Sequence, residues 1–189
     1  KEVLMMMVLN KLRVGLLSHH IPLKEVVNQI EPGKILSILN LMNRGLVQDF
    51  GIKKPRIGIL GVNPHSGEDG KIGDEEIKLI KPAIERAKSL GINAFGPIPG
   101  DSAFPRAMRG EFDALLAMYH DQGLAPLKAL NFEQVVNVSL GLSFVRTSPG
   151  HGTAYDIAWK GIANPKSFYC ALKLAQTLVK NRAKANGRR

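Results

Sequence analysis

The chain has 189 residues, a formal net charge of +10 and 44% hydrophobic residues, which is enough for a sizeable core. Its single cysteine, Cys170, excludes an internal disulfide framework and predicts a reducing, cytoplasmic location. No apolar run approaches the roughly 20 residues that span a bilayer, so we expect no membrane partner. Basic residues are scattered and aromatic residues make up only 6%, so we favour solvated surface charge over nucleic-acid binding.

Apolar runs and amphipathic segments alternate along the chain. Strands are predicted over residues 3–9, 12–17, 55–62, 112–119 and 135–148, with an extended Pro/Gly segment over 92–100. Helices are predicted over residues 21–30, 32–51, 74–91 and 167–183. This alternation favours an α/β fold with a mixed, largely parallel sheet flanked by helices.

Polar clusters follow three of the predicted strands, as "NPHSGEDG", "YHDQG" and "RTSPGHGTA". Ligands of parallel sheets bind beyond the carboxyl ends of the strands, which is where these clusters lie. A lone loop histidine is more often a polar surface residue. Several histidines at equivalent positions favour a catalytic divalent-metal site instead. Asp121 and Glu68 are candidates for acceptors that would orient such imidazoles.

The segment "LLAMYHDQGLAPLK" combines several of these features. We interpret it as a strand that places His120 beyond its carboxyl end, after which Gly123 lets the chain turn and the next segment returns Lys128 to the same place. Lys128 and Arg146 could each hold a phosphate or carboxylate, or could be surface charge. The loop "SGEDGKIG" matches neither a Walker A loop nor a Rossmann fingerprint, so a nucleotide cofactor would need another binding mode.

Six blocks together resemble the 4-hydroxythreonine-4-phosphate dehydrogenase family of vitamin B6 biosynthesis. They are "HHIPLKEV", "GVNPHSGEDGKIGDEEI", "GPIPGDSAF", "DALLAMYHDQGLAPLK", "VNVSLGLSFVRTSPGHGTA" and "GIANPKSF". The resemblance implies an isopropylmalate dehydrogenase-like fold. It also implies NAD- and metal-dependent oxidation of 4-phosphooxy-L-threonine, followed by decarboxylation to 3-amino-2-oxopropyl phosphate.

The same resemblance implies roles for individual residues. The metal ligands would be His20, His65 and His120, and the substrate contacts would be Lys128, Asn137 and Arg146. Asp121 and Lys128 are the two candidates for the catalytic base. The family is a homodimer with its active site between subunits, so the ligands need not all come from one chain. Zinc, magnesium, manganese and cobalt all suit such a site.

The segment "HGTAYDIAWKGIANP" is similar to the adenosine-binding loop of isopropylmalate and isocitrate dehydrogenases. This similarity implies that adenosine is lined by His151, Gly152, Thr153, Ala154 and Asn164. Asp156 would accept hydrogen bonds from the ribose hydroxyls and repel a 2′-phosphate, which predicts NAD, with NADP as the alternative. Asp156 could instead only cap the following turn. Gly150 stands where the family often has an acid.

The resemblance also implies a division of the chain. Residues 1–100 would form a middle metal-binding and dimerisation portion, and residues 101–189 the C-terminal part of the cofactor-binding domain. The family's N-terminal part would precede Lys1, so we expect weak or no activity from this chain alone, with apolar surface left exposed. The alternatives are a paralogous dehydrogenase of another hydroxy acid and a truncated, inactive metal-binding or dimerisation fragment.

Overall fold

A computed structural model describes residues 2–187 and contains, within them, one seven-stranded sheet and five α-helices. The strands are β1 (Leu4–Leu9), β2 (Leu12–Leu16), β3 (Arg56–Leu60), β4 (Asn93–Ile98), β5 (Ala114–Ala117), β6 (Val136–Leu140) and β7 (Thr147–Pro149). The helices are α1 (Pro32–Gln48), α2 (Lys81–Ser89), α3 (Gly100–Met108), α4 (His120–Asn131) and α5 (Lys166–Ala185).

The sheet has the strand order β4-β3-β5-β2-β1-β6-β7 and is mixed. Strands β4, β3, β5 and β2 pair in parallel, whereas β2, β1, β6 and β7 pair antiparallel. The predicted α/β class with a mixed sheet is therefore confirmed, with the pairings divided equally between the two kinds. Because β3, β5 and β2 run in the same direction, their carboxyl ends meet at one side of the sheet, which we call the carboxyl edge.

Helices cover both faces of the sheet because its strands are apolar on both sides. Met6 and Val8 of β1 join one core with residues of α1, α2 and α5. Met7 and Leu9 of the same strand join a second core with residues of α3 and α4. Successive side chains of a strand point to opposite faces, so an uninterrupted apolar run supplies both cores.

Two predicted helices differ from the structure. Residues 21–30 form only two short 3₁₀ turns, Leu23–Glu25 and Val27–Gln29. Val26 and Ile30 are buried in the core, whereas Leu23 is 70% exposed, so only part of the apolar spacing packs on the core here. The helix predicted over 74–91 begins with a π-helical segment, Glu76–Ile80, and continues as α2. The long strand predicted over 135–148 is a hairpin of β6 and β7.

Helices α3 and α4 were not predicted, because Pro105, Gly123 and Pro126 within them are residues that normally weaken or interrupt helices. The turn predicted at Gly123 is wrong. A Cβ atom there would lie 2.7 Å from Leu16 Cδ2, so the glycine lets α4 pack closely on β2. The helix carries Lys128 about 12 Å along its axis from His120, at roughly 1.5 Å per residue, and does not return it.

The boundary predicted at residue 100 does not coincide with a break in the sheet. Strand β5, from the second portion, lies between β3 and β2, from the first portion. The roles assigned to the two portions remain predictions. No helix within residues 2–187 combines the length and the hydropathy that crossing a membrane requires.

A histidine-lined edge as the candidate active site

His20 and His120 meet at the carboxyl edge, with their ring centroids 5.9 Å apart. His20 follows β2, and His120 is the first residue of α4, just after β5. Backbone hydrogen bonds extend the pairing of these two strands: Leu17 N–H donates to Ala117 O at 2.9 Å, and Ser18 N–H donates to Met118 O at 3.2 Å. Backbone hydrogen bonds therefore hold together the two strand ends that precede His20 and His120.

A buried hydroxyl strengthens the same junction. Ser18 Oγ donates to Met118 O at 2.7 Å, and Ser18 is only 4% exposed. Gln122 makes a second bridge: its Oε1 accepts Met118 N–H at 2.7 Å, and its Nε2 donates to Gly61 O at 2.7 Å. Gln122 thus connects the ends of β5 and β3. Sequence reasoning missed both bridges, because the partners are far apart in the chain.

The two imidazoles line a cavity of about 530 Å³ together with Ser18, His19, Ile21, Pro22, Leu23, Val26, Tyr119 and Asp121. His120 Nδ1 lies 2.7 Å from Asp121 Oδ1, which leaves His120 Nε2 available as a ligand atom. Burial and the nearby His20, Lys34 and His120 lower the pKa of His19. The lowered pKa favours the neutral form of the His19 imidazole.

His65 lies on the loop that follows β3, the neighbour of β5, and its side chain is exposed. Residues 65–69 form a left-handed turn in which His65, Ser66, Glu68 and Asp69 all have positive φ. Left-handed backbone costs L-residues roughly 1–2 kcal/mol each. The sequence gives no clear signal for this conformation, because only one glycine, Gly67, lies within the turn.

Glu76 holds this loop, although the sequence alone places it in the first turn of the helix predicted over residues 74–91, where an acid is common. The residue is 1% exposed. Its Oε1 accepts Val62 N–H at 2.7 Å and Asn63 N–H at 2.8 Å, and its Oε2 accepts Asn63 Nδ2 at 2.9 Å. Glu68, the acid that the sequence suggested for this neighbourhood, is exposed.

One copy of the chain supplies an incomplete set of metal donors. Within residues 2–187, no group of three His, Cys, Asp or Glu side chains is arranged to hold a metal ion. His20 and His120 come together, and His65 stands on the neighbouring loop without joining them. Two imidazoles with the free Nε2 of His120 are chemically suited to a divalent metal, provided that further ligands complete the set.

The residues predicted to contact substrate are not among those that line the cavity of the two imidazoles. Asn137 lies in β6, and its Oδ1 is buried without a hydrogen-bond partner among the described residues. Arg146 is exposed, and its Nη1 donates to Ser139 Oγ at 2.9 Å. The Lys128 Nζ lies 5.4 Å from the centre of the Phe132 ring, towards the far end of α4. Their assignment to the substrate stays a prediction.

Five of the six residues predicted to bind the cofactor line one cavity of about 620 Å³: His151, Gly152, Thr153, Ala154 and Asn164. A cavity of this size suits a small-molecule ligand. Trp159, the one tryptophan of the sequence, lines the same cavity and is fully exposed. Asp156 is exposed and is not among the lining residues, so its role in cofactor choice stays a prediction.

The loop that carries these residues, 150–166, is called the cofactor loop after its predicted role, and it is anchored near its two ends. Gly150 N–H donates to Val135 O at 3.0 Å, and Ser167 Oγ donates to the same carbonyl at 3.1 Å. Glu133 accepts Asn164 Nδ2 at 2.9 Å and pairs with Lys166 at 3.0 Å. Between these anchors, most side chains are exposed.

Comparison with known proteins supports the resemblance in the sequence. The sequence model of the family described as pyridoxal phosphate biosynthetic protein PdxA matches residues 1–175. A 4-hydroxythreonine-4-phosphate dehydrogenase from Desulforapulum autotrophicum is 50% identical over 174 residues, which are 92% of this chain and 51% of the relative. The chain spans about half the length of the curated relatives it matches.

Solved structures also support the family resemblance. The crystal structure of 4-hydroxythreonine-4-phosphate dehydrogenase from Klebsiella pneumoniae superposes with a TM-score of 0.86 at 39% identity, covering 94% of this chain and 54% of that one. A terephthalate 1,2-cis-dihydrodiol dehydrogenase from Burkholderia xenovorans gives 0.75 at 27% identity, covering 93% and 55%. The fold, the ordered histidine motifs and these matches lead to one conclusion: the chain belongs to the PdxA family of pyridoxal phosphate biosynthetic proteins.

Proposed function

We propose that this chain is the metal- and NAD-binding portion of an enzyme that oxidises 4-phosphooxy-L-threonine and decarboxylates the product to 3-amino-2-oxopropyl phosphate. The observation that carries the proposal is the His20–His120 pair on hydrogen-bonded strand ends. It occurs in a chain whose relatives are named 4-hydroxythreonine-4-phosphate dehydrogenase. The reaction serves vitamin B6 synthesis.

His20 and His120 would hold a divalent metal, with His65 as the third ligand. The metal, when bound, would lower the pKa of the substrate's secondary alcohol. In a homodimer with its active site between subunits, the third ligand need not come from the same chain as the other two. Such sharing would reconcile the ligand set with the incomplete set of donors in one copy.

The contact between Asp121 and His120 supports a role for Asp121 in the active site. Its Oδ1 is 2.7 Å from His120 Nδ1, so it can fix the imidazole with Nε2 directed outward. The Asp121 side chain is 82% exposed, which also leaves it accessible to a substrate proton. Asp121 and Lys128 remain the two candidates for the base, and Arg146 and Lys128 would hold the anionic ends of the substrate.

The hydride acceptor would be NAD, bound in the 620 Å³ cavity of the cofactor loop. Trp159 lines this cavity, so its fluorescence reports on binding without any need for turnover. In titrations followed by this emission, we expect NAD to bind more tightly than NADP, because the Asp156 carboxylate would repel a 2′-phosphate. Equal affinities, or tighter NADP binding, would refute the Asp156 argument. In Asp156→Asn the preference for NAD over NADP should become smaller.

The direct test combines metal binding with substrate oxidation. Co²⁺ titration followed by its visible absorption should show binding to the chain. His120→Ala should weaken this binding about 100-fold, because removing a ligand should cost at least as much as the roughly 10–100-fold loss seen for changes behind a ligand. Lys53→Ala, an exposed loop change, is the matched control. NADH formation from 4-phosphooxy-L-threonine should be weak and should disappear in His120→Ala. A chain that binds neither Co²⁺ nor NAD would refute the proposal.

A paralogous dehydrogenase of another hydroxy acid is the second candidate. The superposition on the terephthalate 1,2-cis-dihydrodiol dehydrogenase favours it, because the same architecture occurs in a protein named for a different substrate. Measuring NADH formation with both substrates separates the two. Light scattering tests the predicted homodimer, and a monomer that retains tight Co²⁺ binding would refute ligand sharing.

A further inference from the structure

The loop between β3 and α2 has an unusual conformation that something must stabilise. His65, Ser66, Glu68 and Asp69 occupy left-handed backbone that L-residues rarely adopt. Such residues persist only where surrounding contacts determine them strongly. The same loop carries His65, so whatever stabilises the loop also decides where this imidazole is presented.

The Glu76 carboxylate fills the inside of the loop. It accepts two backbone N–H groups, from Val62 and Asn63, and one side-chain donor, Asn63 Nδ2. A Cβ atom on Gly67 would lie 2.8 Å from Glu76 Oε2, and one on Gly61 would lie 2.9 Å from Oε1. The two glycines therefore leave the space that the carboxylate occupies.

The donor pattern requires a carboxylate. Both Glu76 oxygens accept hydrogen bonds, and within residues 2–187 no lysine or arginine pairs with the group. A glutamine in its place would turn an N–H₂ donor toward one of these donors. Asn63 is held from a second side as well, because its Nδ2 also donates to Glu75 Oε2 at 2.6 Å.

We propose that Glu76 is a positioning residue that sets the presentation of His65 to the metal by holding the left-handed loop. This inference rests on the proposed function, because it takes His65 as a metal ligand. Glu76 itself is buried, and its hydrogen bonds go to Val62 and Asn63 of the loop. Its effect on metal binding therefore has to pass through the loop and His65.

The test is a double-mutant cycle with Co²⁺ as the probe. Glu76→Gln should weaken Co²⁺ binding about tenfold, as changes behind a metal ligand do. In the His65→Ala background the same change should have no further effect on Co²⁺ binding. Amide exchange at Val62 and Asn63 should accelerate in both backgrounds. Glu85→Gln, an exposed acid on α2, is the matched control and should change neither quantity.

The possible results of this cycle distinguish a wrong ligand assignment for His65 from a wrong positioning role for Glu76. If His65→Ala binds Co²⁺ as tightly as the unsubstituted chain, the ligand assignment of the proposed function fails. If His65→Ala weakens binding and Glu76→Gln does not, the ligand set stands and the positioning role fails. Equal weakening by Glu76→Gln in both backgrounds means that Glu76 does not act through His65, which also overturns the inference.

A milder variant keeps the cycle usable if Glu76→Gln does not fold. Asn63→Ala removes one of the three donors to Glu76 and leaves the backbone hydrogen bonds in place. It should weaken Co²⁺ binding about threefold, with the loss again confined to chains that retain His65. An unchanged affinity, with a folded chain by circular dichroism, would contradict the positioning role.

Discussion

The carboxyl edge and the cofactor loop are built in opposite ways. At the edge, Ser18, Gln122 and Glu76 connect neighbouring strand ends and loops through buried or half-buried hydrogen bonds. The cofactor loop is tied near its ends through Gly150, Asn164 and Ser167, and most of its side chains are exposed in between. The edge can therefore hold ligand atoms in a fixed arrangement, whereas the loop can still adapt to a ligand.

This difference fits the two kinds of chemistry proposed for them. A metal site needs its imidazoles held close to the correct geometry before the ion arrives. A loop that surrounds a flexible nucleotide can be ordered on binding, at the expense of some affinity. If the contrast is correct, equivalent substitutions in the two regions should have unequal effects on the free energy of unfolding.

The largest difference is expected for alanine at two glycines. Gly123→Ala should lower the free energy of unfolding by about 1–3 kcal/mol, because its Cβ would overlap Leu16, Val14 and Ala117. Gly152→Ala in the cofactor loop meets nothing within 4 Å and should change it by less than about 0.5 kcal/mol. Urea unfolding followed by circular dichroism measures both. Similar losses would remove the contrast.

A smaller difference is expected for two hydroxyls. Ser18→Ala removes the buried hydrogen bond to Met118 O and should cost about 1 kcal/mol. Thr153→Ala, at an exposed loop position, should be nearly neutral in the same urea measurement. A neutral Ser18→Ala would mean that the backbone hydrogen bond from Ser18 N–H already satisfies this carbonyl.

The smallest effect is expected for Glu133→Gln, which weakens the exposed pairing of the cofactor loop with Lys166. The free energy of unfolding should fall by no more than about 0.5 kcal/mol, as is usual for exposed ion pairs. Chymotrypsin should nevertheless cut faster at the exposed Tyr155 and Trp159. Glu111→Gln, which breaks an exposed pair with Arg106 away from the loop, is the control. A fall of about 2 kcal/mol in the free energy of unfolding would show that the cofactor loop is held as firmly as the carboxyl edge.

Much of the fold could be predicted because hydrophobic periodicity and burial agree. The apolar runs of β1, β2, β3 and β5 and the helical spacing of α1 and α5 correspond to buried faces. Prediction failed where tertiary contacts overrode local preference. α4 is a helix although it contains Gly123 and Pro126, and Gly123 lets it pack closely on β2. Residues 21–30 form short turns although their apolar spacing is helical.

The candidate site, like the fold, was predicted in part and missed in part. Residue types and their placement after strands indicated a group of loop histidines, the family resemblance singled out His20, His65 and His120 among them, and the structure brings His20 and His120 together. The loop motif likewise singled out five residues that line one cavity. The bridging roles of Ser18, Gln122 and Glu76 were missed, because each depends on a partner that local sequence does not reveal.

The sequence by itself determined the family and the α/β class and supplied the candidate metal ligands, because motif order and apolar patterning are properties of the linear chain. The tertiary structure decided which of those residues meet, because hydrogen bonding between strands far apart in the chain sets their spacing. It joined His20 to His120, left His65 on a left-handed loop held by Glu76, and carried Lys128 away along α4.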